Sequence, residues 1–291
     1  MASRDTLDVP RARPLERVLA DHRSALVRKY RISRASQLLR FVDACGFCYA
    51  FTQPDADLAI PACFDHLATR SVDRMWGWMW SWKDELPERG KRYYGKLLRA
   101  KPTFVSLSFL PVFYAVHGRA GEEDDYLEDA RAGRLSDVAR RIYEALLAGG
   151  ETQTKRLRAE LGISSKEGRT VYAKAMEELQ RLMYVTRVRA VGEGREAYNY
   201  TYDLFARRYP DAVAAAGSLS SLEAMDRILM RTLELAGAVP QRRLAKHFQW
   251  DEDRTERVIA ALERTHSLAR VGSGKDRLLV LARLAKQAGI R

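Results

Sequence analysis

DVARRIYEALLAGG (137–150), TQTKRLRAELG (152–162), SSKEGRTVYAKAMEELQRLMY (164–184) and VTRVRAVGEGREAYNYTYDL (185–204) follow one another with at most one residue between them, and their periods decide the fold. Val138, Ile142, Ala145 and Leu146 recur at helical spacing until Gly149-Gly150 stops them. A second helix is expected from Thr152 through Leu157 to Leu161, closed by Gly162 at helix-turn-helix distance. The third and longest turns Val171, Ala175, Leu179 and Leu182 inward, which leaves Lys166, Arg169, Tyr172 and Lys174 for its outer side. From Tyr184 the period drops to two, as in a strand, and Gly192-Glu193-Gly194-Arg195 supplies a turn to the returning strand at 198–202. Three helices and a two-stranded wing, in that order, predict a winged helix.

The same order returns after Pro210. Ile228, Leu229, Leu233 and Leu235 mark a first helix and residues 241–248 a second; Val258, Ile259 and Leu262 mark a third within 251–265. Leu268–Val271 and Leu278–Leu281 flank Gly272-Ser273-Gly274-Lys275, a turn in register with the one at 192–195. In both turns the glycines permit a tight hairpin and a cation stands at the tip, where a wing meets a phosphate. The expected fold is therefore mainly α with small β wings. Tandem winged helix-turn-helix domains at 136–210 and 220–291 follow an aromatic-rich N-terminal α+β domain over 1–135, itself readable as a variant winged helix.

That N-terminal part opens on a leader to Pro14 and an amphipathic helix bearing Leu15, Val18, Leu19, Leu26 and Val27. A second helix, with Leu38, Leu39, Phe41, Val42 and Cys45 on one face, ends at Gly46. Phe47–Phe51 alternates as a strand until Gln53-Pro54-Asp55, and Pro61 can open a short helix. Four of the five tryptophans stand in WGWMWSWKDELP (76–87). As a strand they would line one face; as a helix Trp76 would share a face with Trp80, and Trp78 with Trp82. They can form a core, since Trp is mostly buried, or a stacking platform on which Trp78, Trp82 and Tyr93 hold bases while Lys83 and Lys96 reach phosphates. Phe104–Tyr114, with Pro111 inside it, is expected as a short strand or loop. The acidic run between Gly118 and Gly133 is expected as a solvated linker helix.

A net charge of +12 favours a polyanionic partner, and nucleic acid ranks ahead of a membrane surface because no apolar run reaches the roughly 20 residues of a spanning helix. The excess of basic residues lies in 1–104 and 222–291, so the N-terminal part is expected to share in binding double-stranded DNA. Besides the third-helix residues already named, Arg195, Arg242, Arg243, Lys246, Arg254, Arg257 and Lys275 are the candidate DNA contacts. Cys45, Cys48 and Cys63 sit in apolar surroundings with no second CxxC and no suitably spaced histidines. Neither a disulfide scaffold nor a metal is expected, no cofactor motif is present, and without a signal-peptide core the chain is expected in the cytoplasm.

The helix over 36–45 leading into Gly46-Phe47, the aromatic 76–87 segment and the two C-terminal winged helices together resemble the AlkZ/YcaQ-like family of tandem winged-helix DNA glycosylases, which excise alkylated bases and unhook interstrand crosslinks. The resemblance implies a Gln-x-Gln or Gln-x-Asp pair after the glycine, positioning the hydrolytic water. Phe47-Cys48-Tyr49-Ala50 stands there instead. Cleaving a glycosidic bond needs a carboxylate or amide to hold water against a developing oxocarbenium ion, and Asp84 and Glu85, beside the tryptophans, are the candidate replacements. The resemblance thus implies a DNA-repair scaffold without its usual catalytic motif. A winged-helix transcriptional regulator is the alternative.

Overall fold

The computed structural model describes residues 13–53, 58–192 and 199–290. The leader up to residue 12, the break at Pro54-Asp55 and the turn carrying Gly194 and Arg195 lie outside them. Helix α1 (Leu15–Lys29) comes first. Three segments then repeat one order of elements: a helix, a short strand, a helical turn, a long helix and a hairpin, with the first strand pairing to the third in every sheet.

In the first segment α2 (Ala35–Cys45) ends at Gly46, whose φ of 77° lets the chain turn at once into β1 (Phe47–Tyr49). A Cβ at Gly46 would stand 3.1 Å from the Phe109 ring, a second reason for glycine. A 3-10 turn (Cys63–His66) occupies the place expected for a short helix after Pro61. The tryptophan segment is helical: α3 (Val72–Glu88) starts where the Ser71 side chain accepts the Arg74 N–H. β2 (Tyr93–Leu98) and β3 (Lys101–Val105) close the sheet in the order β1-β3-β2.

Sequence periodicity and structure part company next. Pro111 stands in the first turn of a helix, α4 (Leu110–Ala115), where its missing N–H costs nothing; the expected strand or loop is a buried helix. The acidic run is also no solvated linker. Within it α5 (Asp125–Arg131) buries Tyr126, and Asp129 accepts from the Tyr184 hydroxyl at 2.7 Å and pairs with Arg134.

The second segment comprises α6 (Asp137–Gly149), β4 (Thr152–Gln153), α7 (Thr154–Glu160), α8 (Lys166–Arg181), β5 (Val185–Val191) and β6 (Asn199–Leu204), with sheet order β4-β6-β5. Thr152, expected to open a helix, lies in a strand opposite Tyr202. Along α8 the buried stripe is Tyr172, Ala175, Met176 and Leu179, whereas Val171 is 48 % exposed. The stripe expected from Val171 was about 100° off at its start, because burying the larger Tyr ring removes more apolar surface from water.

Two helices, α9 (Phe205–Arg208) and α10 (Pro210–Ala216), fill what composition suggested was a connecting stretch, and α10 packs on α4. The third segment is α11 (Ser221–Ala236), β7 (Ala238–Pro240), α12 (Gln241–Phe248), α13 (Glu252–Arg264), β8 (Leu268–Val271) and β9 (Leu278–Leu281), followed by α14 (Ala282–Gln287). Ser220 and Glu223 form a capping box at the start of α11.

Cores cross these boundaries. Val18, Leu19, Phe47, Tyr49 and Tyr93 share one apolar cluster with Phe205, Ile228, Leu229 and Leu281. The N-terminal helix α1 lies on the C-terminal segment: Arg23 Nε donates to Ala236 O at 2.8 Å, and His22 Nε2 is 2.9 Å from Glu234 O. Gly237 sits under this contact with φ of 78°, and a Cβ there would come within 2.8 Å of Leu19. The second segment keeps a core of its own around Ile142, Leu157, Leu179 and Val185. Among the described residues no helix is long and apolar enough to cross a membrane.

Candidate nucleic-acid interface

The outer face of α8 carries Lys166, Arg169 and Lys174, all exposed, on a helix held by its buried stripe and begun by the Ser165 side chain accepting the Gly168 N–H at 2.9 Å. Tyr172, expected beside them, is 4 % exposed and belongs to the core, so it cannot meet DNA. In the third segment Arg242, Arg243 and Lys246 are exposed on α12, Arg257 on α13 and Lys275 in the turn between β8 and β9. Arg254 departs from them. Half-buried, its guanidinium donates to Ser221 Oγ and lines an open cavity between the segments. Arg195 lies outside the described residues.

On α3 the tryptophans divide by face. Trp82 is buried with Trp78 stacked on it, centroids 5.6 Å apart at 18°, while Trp76 and Trp80 stand about half exposed. Trp76 in turn stacks on Phe51 at 5.4 Å. The pair expected to hold bases, Trp78 and Trp82, is thus the inward pair. Tyr93 is wholly buried between Phe205 and Tyr209 and cannot stack on a base, and burial pushes its phenol far up from its ordinary pKa. Lys96 pairs with Glu177 of α8.

Lys83 and Asp84 are joined in a clamp. Lys83, 2 % exposed, donates to both Asp84 oxygens at 2.8 and 2.9 Å and stands 3.9 Å above the Trp80 ring. Arg187 of β5, which sequence reasoning did not single out, reaches Asp84 Oδ1 at 3.0 Å and lies over the Tyr94 and Tyr200 rings at 4.3 and 4.4 Å. Its position in an alternating strand, facing inward with Val185, was the signal available. With both oxygens of Asp84 engaged by cations, this carboxylate ties α3 to the second segment. Glu85 faces outward on α3, accepts from Ser81 Oγ at 2.6 Å and lies within reach of Arg89 at 3.9 Å.

Cys48 and Ala50 are entirely buried, and Cys48 Sγ lies 3.4 Å from Cys63 Sγ. Burial pushes the Cys48 thiol well above its ordinary range, so at neutral pH it is protonated. Between them, Tyr49 places its hydroxyl 3.2 Å from His247 Nε2 on α12, bridging the first and third segments. Packing fills this region.

With this geometry in place, the comparisons define the class. The chain belongs to the AlkZ-related family, whose model matches residues 32–249. It shares its fold with the Streptomyces sahachiroi DNA glycosylase AlkZ: the TM-score is 0.56 at 12 % identity, over 96 % of this chain and 72 % of that one. A comparison with curated proteins gives no match.

Proposed function

We propose that this chain binds double-stranded DNA and serves in the repair of alkylated or crosslinked bases, its three segments acting as winged helices and its glycosylase chemistry weak or absent. The observation that carries the binding is the row Lys166, Arg169 and Lys174, free of the core on the third helix of a helix-strand-helix-helix-hairpin unit. In such a unit that helix enters a groove while the hairpin and its cations meet the backbone. Membership of the AlkZ-related family, and the fold shared with a DNA glycosylase, favour repair over transcriptional regulation.

Weak or absent chemistry rests on Cys48 and Ala50. A protonated thiol is a poor partner for water and a methyl group is none, so neither can hold a nucleophile as an amide does.

The test is fluorescence anisotropy with a labelled duplex across a salt series. The logarithm of the affinity is expected to fall with that of salt by about 0.9 per phosphate neutralised, and the triple change Lys166→Ala, Arg169→Ala, Lys174→Ala to flatten that slope by up to about 3. A slope near zero in the parent chain would overturn DNA binding. In parallel, incubation with alkylated and crosslinked duplexes should release little or no base; robust release would refute the view of the chemistry, its loss in Asp84→Asn or Glu85→Gln would fix the catalytic residue, and its survival in both would place the chemistry elsewhere.

A further inference from the structure

Where the three segments meet, the fold leaves a cavity of about 490 Å³, within the roughly 300–1,000 Å³ range of small-molecule sites. Its composition is uneven. Three guanidinium groups, Arg134, Arg181 and Arg254, face two carboxylates, Asp129 and Asp251. Both carboxylates are already engaged: Asp129 pairs with Arg134 at 2.7 Å and accepts from Tyr184, and Asp251 caps α13 by accepting the Arg254 N–H at 2.9 Å. Arg181 is half-buried at the end of α8 and, among the described residues, its side chain makes neither a hydrogen bond nor an ion pair. The carboxylate acting on it, Glu178, is committed to the Ser136 N–H.

His117, also in the wall, reports the same field. Burial first, and then Arg119, Arg181 and Arg254, hold its imidazole well below the ordinary histidine pKa, so the site stays positive through its arginines while the ring is neutral. Opposite the cations the lining is aromatic. Trp250 stacks on Phe248 at 4.6 Å and 19°, and Phe113 completes the apolar side. Between them Gln249, which ends α12 as its left-handed cap at φ of 56°, stands exposed at the rim.

Unneutralised guanidinium groups, a planar platform and an amide call for an anion with a flat, hydrogen-bonding body. We infer that this cavity is a nucleotide site: the phosphate on Arg181 and Arg254, the base against Trp250 and its edge toward Gln249. Arginine forks suit phosphate oxygens, and indole faces suit any base. The nucleotide can arrive free or as a unit displaced from a DNA strand, and only the second source rests on the DNA-binding reading above.

The full-length chain is titrated calorimetrically with adenosine monophosphate, adenosine and inorganic phosphate. By anisotropy it is titrated with a matched duplex and one carrying a single unpaired nucleotide. Free-nucleotide binding predicts that adenosine monophosphate binds at least about tenfold tighter than either fragment, and that Arg181→Ala weakens it by about tenfold or more. A displaced nucleotide predicts tighter binding to the bulged duplex, with Arg181→Ala abolishing the preference and leaving matched-duplex affinity in place. Gln249→Ala, exposed at the rim, should weaken whichever ligand binds without affecting folding, and Arg28→Ala on α1 should change nothing. Phosphate binding as tightly as the mononucleotide, or absence of both signals, or indifference to Arg181→Ala, overturns the inference. Matched-duplex affinity in that event leaves the DNA-binding reading standing; nucleotide binding without duplex affinity does the reverse.

Discussion

Lys83 and Arg187 are 2 % and 5 % exposed, and each is tolerated there because Asp84 lies between them. Removing one partner of a buried pair costs far more than the pair contributes, since an uncompensated charge is left behind. Asp84→Asn is therefore expected to lower unfolding free energy by about 3 kcal/mol, and Glu85→Gln to stay within about 0.5 kcal/mol, in urea titrations followed by circular dichroism. Equal, small effects would show that solvent reaches the clamp. His117 gives a pH dependence of definite sign. Its folded pKa is depressed, so as pH falls through the unfolded value the denatured chain takes up a proton that the native chain refuses. Stability is full above about pH 6.5 and is lost as pH falls from there toward the depressed folded value. Thermal midpoints between pH 7.5 and 5.0 should fall less steeply in His117→Gln. Some slope will persist, because His66 and His22, also held low by burial, act with the same sign. These charges could be read in the sequence only as charges. That Lys83 is inward and Lys166 outward depends on which helix face meets a neighbour, and at Val171 and Tyr172 one step along α8 exchanges core for solvent.

At the scale of elements, long periodic helices such as α6, α8, α11 and α13 were legible to within a few residues, as was the hairpin after α13 with its paired glycines. The strands β4 and β7, two and three residues long, were not: too short for any period, they exist because the returning hairpin strand offers them backbone partners. The tryptophan helix was ambiguous for a geometric reason. Residues spaced by two align on a strand, yet those spaced by four share a helix face, so both readings pair Trp76 with Trp80 and Trp78 with Trp82. The β2–β3 hairpin was hidden because its turn is Arg99-Ala100, not a glycine pair, with φ of 49° and 55°. A two-residue turn with both φ positive favours Asn-Gly or Asp-Gly. Ala100→Gly removes a Cβ from a left-handed position and is expected to stabilise the chain by up to about 1 kcal/mol, read from the denaturant midpoint. A loss would mean that the methyl group makes contacts worth more than the strain.

Across the whole molecule, the three repeats are not independent. The first and third share a cluster in which Leu19 packs near Gly237 and Leu284, while Tyr49 reaches His247; the first has a further cluster around Phe41, Met79, Trp82 and Phe104 that Leu235 of α11 joins, and the second encloses a core of its own. Local pattern could not reveal this, because contacts between Tyr49 and His247 span 198 residues and leave no period behind. The consequence is a prediction about cooperativity. Burying apolar area across a boundary makes its two sides lose stability together, at roughly 25 cal/mol for each Å² re-exposed. Deleting residues 221–291 strips α1, β1 and α4 of partners and leaves Val18, Leu19, Phe47 and Phe113 facing water. The remaining chain should keep helical circular dichroism from the second repeat but lose protection of amides in α1 and β1 in hydrogen exchange. A fragment of residues 122–216 holds the whole second core, with Tyr126, Ile142, Leu179 and Leu204, and is expected to fold alone with a sigmoidal urea transition. The reverse outcome, a protected N-terminal segment in the truncated chain and an unfolded second repeat, would show that the shared cluster contributes little and that the repeats are stabilised by the clamp at Lys83, Asp84 and Arg187 instead.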